Sequence, residues 1–146
     1  MTLPLSGLRV LEFTHAIMGP ACGLVLADLG AEVIRVEKTP DGDDTRRLRG
    51  FGTGYYPFFN RNKKSVLVDM KSDGGREIVA RLIRSADVLI ENFAPGTMDR
   101  LGLGYEALSA AHPRLIYCAL KGFLAGPYED RVALDEVVQM MSGSPT

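Results

Sequence analysis

Three lysines stand where apolar runs give way to polar chain: Lys38 beyond residues 33–36, Lys71 beyond 65–70, and Lys121 beyond 115–120. His15 lies just past an earlier run, residues 10–13, and Asn92-Phe93 just past another, residues 87–90. Arg46 lies in the polar stretch before the third run, and Arg100 a short way beyond the fourth. Cations converging on one rim suit a ligand with several phosphates, because each ammonium or guanidinium adds a charge-assisted hydrogen bond. Phe93 adds a ring that can stack on a base. Any one lysine after a strand also fits a strand that ends in solvent. The convergence therefore says anionic ligand without saying which.

Other chemistries find no footing. The sequence has no C-x-x-C and no H-E-x-x-H, and its two histidines are far apart, so no metal site is read. Neither a G-x-S-x-G nucleophile elbow nor a P-loop occurs.

The elements that must carry these residues are organised around residues 9–38. Val10, Leu11 and Phe13 form a short extended run that breaks at Thr14-His15. Gly19-Pro20 opens a helix, since proline tolerates the first helical position, and Gly30 supplies a left-handed stop. Val33, Ile34 and Val36 restart an extended run. Two apolar strands flanking a helix predict a parallel, right-handed βαβ unit, which binds ligands outside the carboxyl ends of its strands. That rule makes His15, Ala16, Ile17 and Met18 the floor of a binding site. The turn lacks G-x-G-x-x-G, so an ordinary NAD site is not expected. Gly19 and Gly23 are assigned instead to the turn and to close packing of helix on strand.

Residues 39–65 show no sustained period and predict a long irregular loop, functional or mobile. Its aromatics, Tyr55, Tyr56, Phe58 and Phe59, should fold back on the core or mark a surface for a partner. Ser72 is a good N-cap for a helix with Ile78, Val79, Leu82 and Ile83 on one face. Short helices are predicted over 97–101 and 105–111, and a last one over 133–141. Five strands interleaved with helices predict an α/β fold, an open parallel sheet of Rossmann-like βαβ units.

At 146 residues, 46% hydrophobic and 24% charged, the chain is long enough for one soluble domain with its own core. A net charge of −1 gives no reason to invoke nucleic acid or an anionic membrane. Cys22 and Cys118 sit in apolar runs and read as buried free thiols in a reducing compartment. No charged leader precedes an apolar stretch and no run is long enough for a membrane span, so a cytoplasmic protein is expected.

Several multi-residue segments carry a resemblance: PLSGLRVLEFTHAIMGPACGLVLADLGAEVIRVEK, NRNKKSVLVDMKSDGG, ADVLIENFAPGTMDRLGLGYEAL, and LIYCALKGF with GPYEDR and LDEVVQMMSG. In this order, from Pro4 to Gly143, the chain resembles the class III coenzyme A transferases. That family includes formyl-CoA transferase, carnitine CoA-transferase and α-methylacyl-CoA racemase. The resemblance implies CoA or acyl-CoA as substrate, no metal, and an interlocked homodimer. It implies that His15, Ala16, Ile17 and Met18 lie against CoA and that Lys38 faces the adenosine phosphates. It places Val68 and Lys71 beside the adenine, and Asn92, Phe93, Arg100 and Leu101 along the nucleotide and pantetheine. Ile17 stands where some members have a catalytic glutamine, which bears on substrate class.

The family nucleophile is an aspartate whose matching position lies beyond Thr146, and Asp135 matches a site-lining position rather than that nucleophile. The resemblance thus identifies residues 1–146 as a CoA-binding N-terminal part, inactive on its own, of a protein about three times longer. The parent reaction would move CoA from an acyl-CoA to a carboxylic acid; ALDEVVQMM is most similar to members acting on small dicarboxylates. The racemase branch has a histidine immediately before the aspartate of this helix, where this chain has Leu134. A non-catalytic nucleotide-binding or oligomerisation module is the remaining alternative.

Overall fold

The computed structural model describes residues 2–143, with the side chains of Asp135 and Glu136 outside the described set. Five strands, β1 (Arg9–Phe13), β2 (Glu32–Lys38), β3 (Lys64–Val68), β4 (Val88–Glu91) and β5 (Ile116–Ala119), form one parallel sheet. Their order is β3-β2-β1-β4-β5. All five predicted strands are present, each end within two residues of its expected place. The chain builds outward from β1 in one direction, then returns to its other side with β4. In such sheets the crevice at that reversal, between the ends of β1 and β4, is where ligands bind.

Helix α1 (Met18–Asp28) crosses one face of the sheet and buries Gly19, Pro20, Gly23, Leu24 and Ala27, a stripe at three- and four-residue spacing. The stripe is made of small residues because the helix lies close to β1. A Cβ on Gly19 would come within 2.5 Å of the Thr14 side chain, and one on Gly23 within 1.8 Å of Glu12 Oε2. The packing role expected of both glycines is therefore met. Gly30, at φ 102°, ends the helix, and Ala31 N–H then bonds the Leu26 carbonyl at 3.0 Å.

A short helix α2 (Tyr55–Phe59) precedes β3, and α3 (Asp73–Arg84) follows it. Ser72 caps α3 by accepting the Gly75 N–H at 3.1 Å, as its residue type predicts. Helices α4 (Thr97–Arg100), α5 (Tyr105–Ala111) and α6 (Asp135–Ser142) complete the set. Strand alternation divides the core. Leu11, Phe13, Val36, Val68 and Leu89 meet Val79, Ile83, Met98 and Leu108 in one layer. Val10, Val33 and Ile90 meet Ala27 and Ala31 in the other. Burial on both faces is what a parallel sheet requires.

Residues 39–63 depart from expectation. Instead of an irregular loop they form 3-10 turns at Asp44–Arg47 and Gly50–Gly54 before α2. They are held by polar contacts with β1 and β2, which leave no hydrophobic period to read. Of the aromatics, Tyr56 folds inward while Phe51 and Phe58 face solvent. Cys22 and Cys118 are free and half-buried rather than buried. Among the described residues no helix is long and apolar enough to cross a membrane.

Candidate functional site

At the crevice, the chain leaves β1 through Thr14 and turns into α1 over residues 15–18. Asn92, just past β4, closes this turn from the other side of the crevice. Its Oδ1 accepts the His15 N–H at 2.8 Å, and its Nδ2 donates to the His15 carbonyl at 2.9 Å. The His15 ring stacks on Phe93, centroids 5.8 Å apart at 17°. Ala16 has φ 61°, a left-handed conformation that costs a non-glycine residue about 1 kcal/mol. The two Asn92 bonds to the neighbouring His15 help to offset that. Ile17 and Met18 are exposed at the turn.

Beyond Phe93 opens a cleft of about 640 Å³, lined by Lys38, Val68, Lys71, Phe93, Arg100 and Leu101 among others. Six of the positions named from the sequence thus share one wall. Residues 15–18 and Asn92 adjoin it through Phe93 rather than lining it. At the rim, Lys38 Nζ donates to both oxygens of Asp44 at 2.9 and 2.8 Å, and Arg47 Nη2 joins at 2.8 Å. The Lys38 bond holds the Asp44 carboxyl below the usual carboxylate range. Arg100 Nη2 donates to Thr97 Oγ1 at 2.9 Å. Asp135 opens α6, but its side chain lies outside the described residues. Among the described residues, no group of His, Cys, Asp and Glu could hold a metal ion.

Two cations expected at this rim are engaged elsewhere. Lys121 Nζ donates to buried Glu91 and, at 2.7 Å, to the Phe93 carbonyl. Glu91 also accepts the Phe93 N–H at 2.9 Å. Lys121 therefore shapes the backbone that presents Phe93. Arg46 forks onto Glu37 at 2.8 and 2.7 Å, with its guanidinium 3.9 Å from the Tyr56 ring centroid.

Sequence reading missed the cluster that includes Glu37. Glu12, Glu37 and Asp43 face Arg35, Lys63 and Arg46 beneath the segment 39–63. Arg35, 0% exposed, bonds Glu12, Asp43 and, at 3.0 Å, Thr14 Oγ1. Burial works to raise the Glu37 carboxyl, but donors from Arg46, Ser65, the Asp43 N–H and Tyr56 outweigh it and hold it at about 2. Lys63 donates to Glu12, to Asn60 and, at 2.7 Å, to the Pro20 carbonyl. Burial pushes its ammonium below the ordinary lysine range, against the pull of Glu12. The one available signal was alternation: Arg35 follows Val33 and precedes Glu37 on the face of β2 that should have been apolar.

The sequence pattern of CoA-transferase family III matches residues 5–146. A formyl-CoA:oxalate CoA-transferase from Rhodopseudomonas palustris (strain TIE-1) is 43% identical over 148 aligned positions, covering 99% of this chain and 35% of the relative. A succinate–glutarate CoA-transferase from Agrobacterium fabrum is 44% identical, covering 96% of this chain and 38% of the relative. The chain thus spans little more than a third of the length of these curated relatives. Among solved structures, a hypothetical protein from Mycobacterium tuberculosis superposes with a TM-score of 0.90 at 44% identity, over 99% of this chain and 41% of that one. A CaiB/BaiF family protein from Brucella suis gives a TM-score of 0.88 at 44% identity, over 98% of this chain and 40% of that one. With a family pattern spanning nearly every residue and close structural likeness over the same length, the chain belongs to CoA-transferase family III.

Proposed function

We propose that residues 1–146 are the CoA-binding domain of a CoA-transferase, the N-terminal part of an enzyme that moves CoA from an acyl-CoA to a small dicarboxylate. The observation that carries this reading is the cleft beside the sheet's switch point, at the carboxyl ends of β2 and β3, where Lys38, Lys71 and Arg100 surround an apolar wall containing Phe93. Cations around an aromatic wall suit a base attached to several phosphates. A lining of Val68 and Leu101 suits the flat faces of an adenine. From there the acyl arm would pass Phe93 and reach the turn of residues 15–18. The dicarboxylate draws on the relatives, whose names carry oxalate, succinate and glutarate. Leu134, in the position where the racemase branch has its histidine, favours transfer over racemisation. In this reading the parent enzyme is a homo-oligomer, and the exposed apolar side chains Leu134, Val137 and Met141 are part of its interface.

Calorimetric titration with CoA and with dephospho-CoA tests the assignment. Both should bind, CoA more tightly, with affinity falling as salt is raised, because the rim cations are exposed and screened. Binding of neither, or binding insensitive to salt, would overturn it.

A further inference from the structure

The turn of residues 15–18 carries strain at Ala16 and yet is the surface a CoA arm meets on leaving the nucleotide cleft past Phe93. Asn92 holds His15 from the β4 side, and a second set of ties comes from beneath. On its strand side, Thr14 Oγ1 donates to Glu12 Oε1 at 2.6 Å, and Glu12 is fixed by Arg35. On its helix side, Lys63 Nζ bonds the Pro20 carbonyl at 2.7 Å, one residue past Gly19 in the first turn of α1. The same ammonium stands 2.9 Å from Glu12 Oε2, and the Lys63 side chain is 1% exposed. One buried cation therefore ties the end of β1 to the start of α1, spanning the turn from beneath.

We propose that Lys63 is a positioning residue for ligand binding, holding residues 15–18 in the conformation that receives the acyl arm of CoA. The proposal rests on the CoA reading and adds to it a residue that contacts no ligand. Lys63 bonds Glu12, Asn60 and the Pro20 carbonyl, and among the described residues it makes no bond to Lys38, Lys71, Phe93 or Arg100 of the cleft. Its effect should therefore split the ligand in two. The adenosine bisphosphate end meets only the cleft, whereas whole CoA also meets the turn.

The test compares the unmodified chain with Lys63→Met by calorimetry, using CoA and its adenosine bisphosphate end alone. Hydrogen exchange is followed in the same samples. The expected result is CoA affinity about tenfold weaker and adenosine bisphosphate affinity unchanged. Exchange at residues 15–18 should quicken while the strands stay protected. Because Lys63→Met leaves Glu12 partly unpaired, the double variant Glu12→Gln/Lys63→Met, which removes both charges together, serves if the single variant does not fold. Equal affinity of variant and parent for CoA overturns the positioning role and leaves the CoA reading intact. Equal loss of both ligands, or faster exchange throughout the sheet, makes Lys63 a general stabiliser and also overturns it. Binding of neither ligand by the unmodified chain overturns the CoA reading and this proposal with it.

Discussion

Lys38, on the rim of the cleft proposed to bind CoA, contributes little to the fold. Its ion pair with Asp44 is more than half exposed on both sides, and pairs of that kind are worth about 0–1 kcal/mol. Lys38→Ala should therefore lower the unfolding midpoint by no more than about 3 °C. A charge-assisted bond to a phosphate on a partly solvated rim is worth roughly 1 kcal/mol, so CoA affinity should fall about fivefold. Calorimetry alongside thermal unfolding checks both halves. An unchanged affinity would remove Lys38 from the site. Lys121, which resembles Lys38 by position after a strand, differs in that its ammonium meets a carboxylate that is 2% exposed. Two lysines of one sequence context thus have opposite surroundings, decided by whether a buried acid lies beneath them.

Helix α1 illustrates a constraint at the scale of the element. Glycine inside a helix ordinarily weakens it by about 1 kcal/mol relative to alanine. At Gly23 the order should reverse. The Glu12 carboxylate that a Cβ would strike is pinned by Arg35, Lys63 and Thr14 and has nowhere to move. Gly23→Ala should destabilise by about 2 kcal/mol through overpacking. Gly74→Ala, in the first turn of α3 with nothing within 4 Å of the added methyl, should be neutral or mildly stabilising. Urea unfolding of the two variants side by side makes the comparison. A Gly23→Ala chain as stable as the parent would mean that α1 can lift from β1 without cost.

For the whole molecule, the buried ions make stability depend on acid. The Glu37 carboxyl lies at about 2 in the folded chain against an ordinary 4.5. A depressed carboxylate contributes its full stabilisation above the unfolded value and loses it as pH falls toward the folded one. The window is therefore from about 4.5 down to about 2, and the loss across it is on the order of 3 kcal/mol. Denaturation midpoints measured through that range should fall steadily. Glu37→Gln should be less stable at neutral pH and lose less on acidification. Equal slopes for parent and variant would show that other groups govern the acid limb. The same ions explain why the segment 39–63 is ordered although it has no apolar stripe: Asp43 and Arg46 fasten it to β2.

Much of this was legible in the sequence because it depends on local pattern. Strand runs such as residues 10–13 and 87–90, the N-cap at Ser72 and the stop at Gly30 are properties of a few neighbouring residues. The side-chain period and the positive φ that glycine allows do not need the rest of the chain. The βαβ reading also located the crevice, since a right-handed crossover leaves one edge for strand ends. What only the tertiary structure decided was pairing at long range. Arg35 reads as a misplaced charge in a strand until β1 brings Glu12 beside it and the chain returns with Asp43 and Lys63. Arg46 and Lys121 read as free rim cations until Glu37 and Glu91 are seen beneath them. A charge carries no period and no local partner, so its role is set by which opposite charge folding places within hydrogen-bond reach.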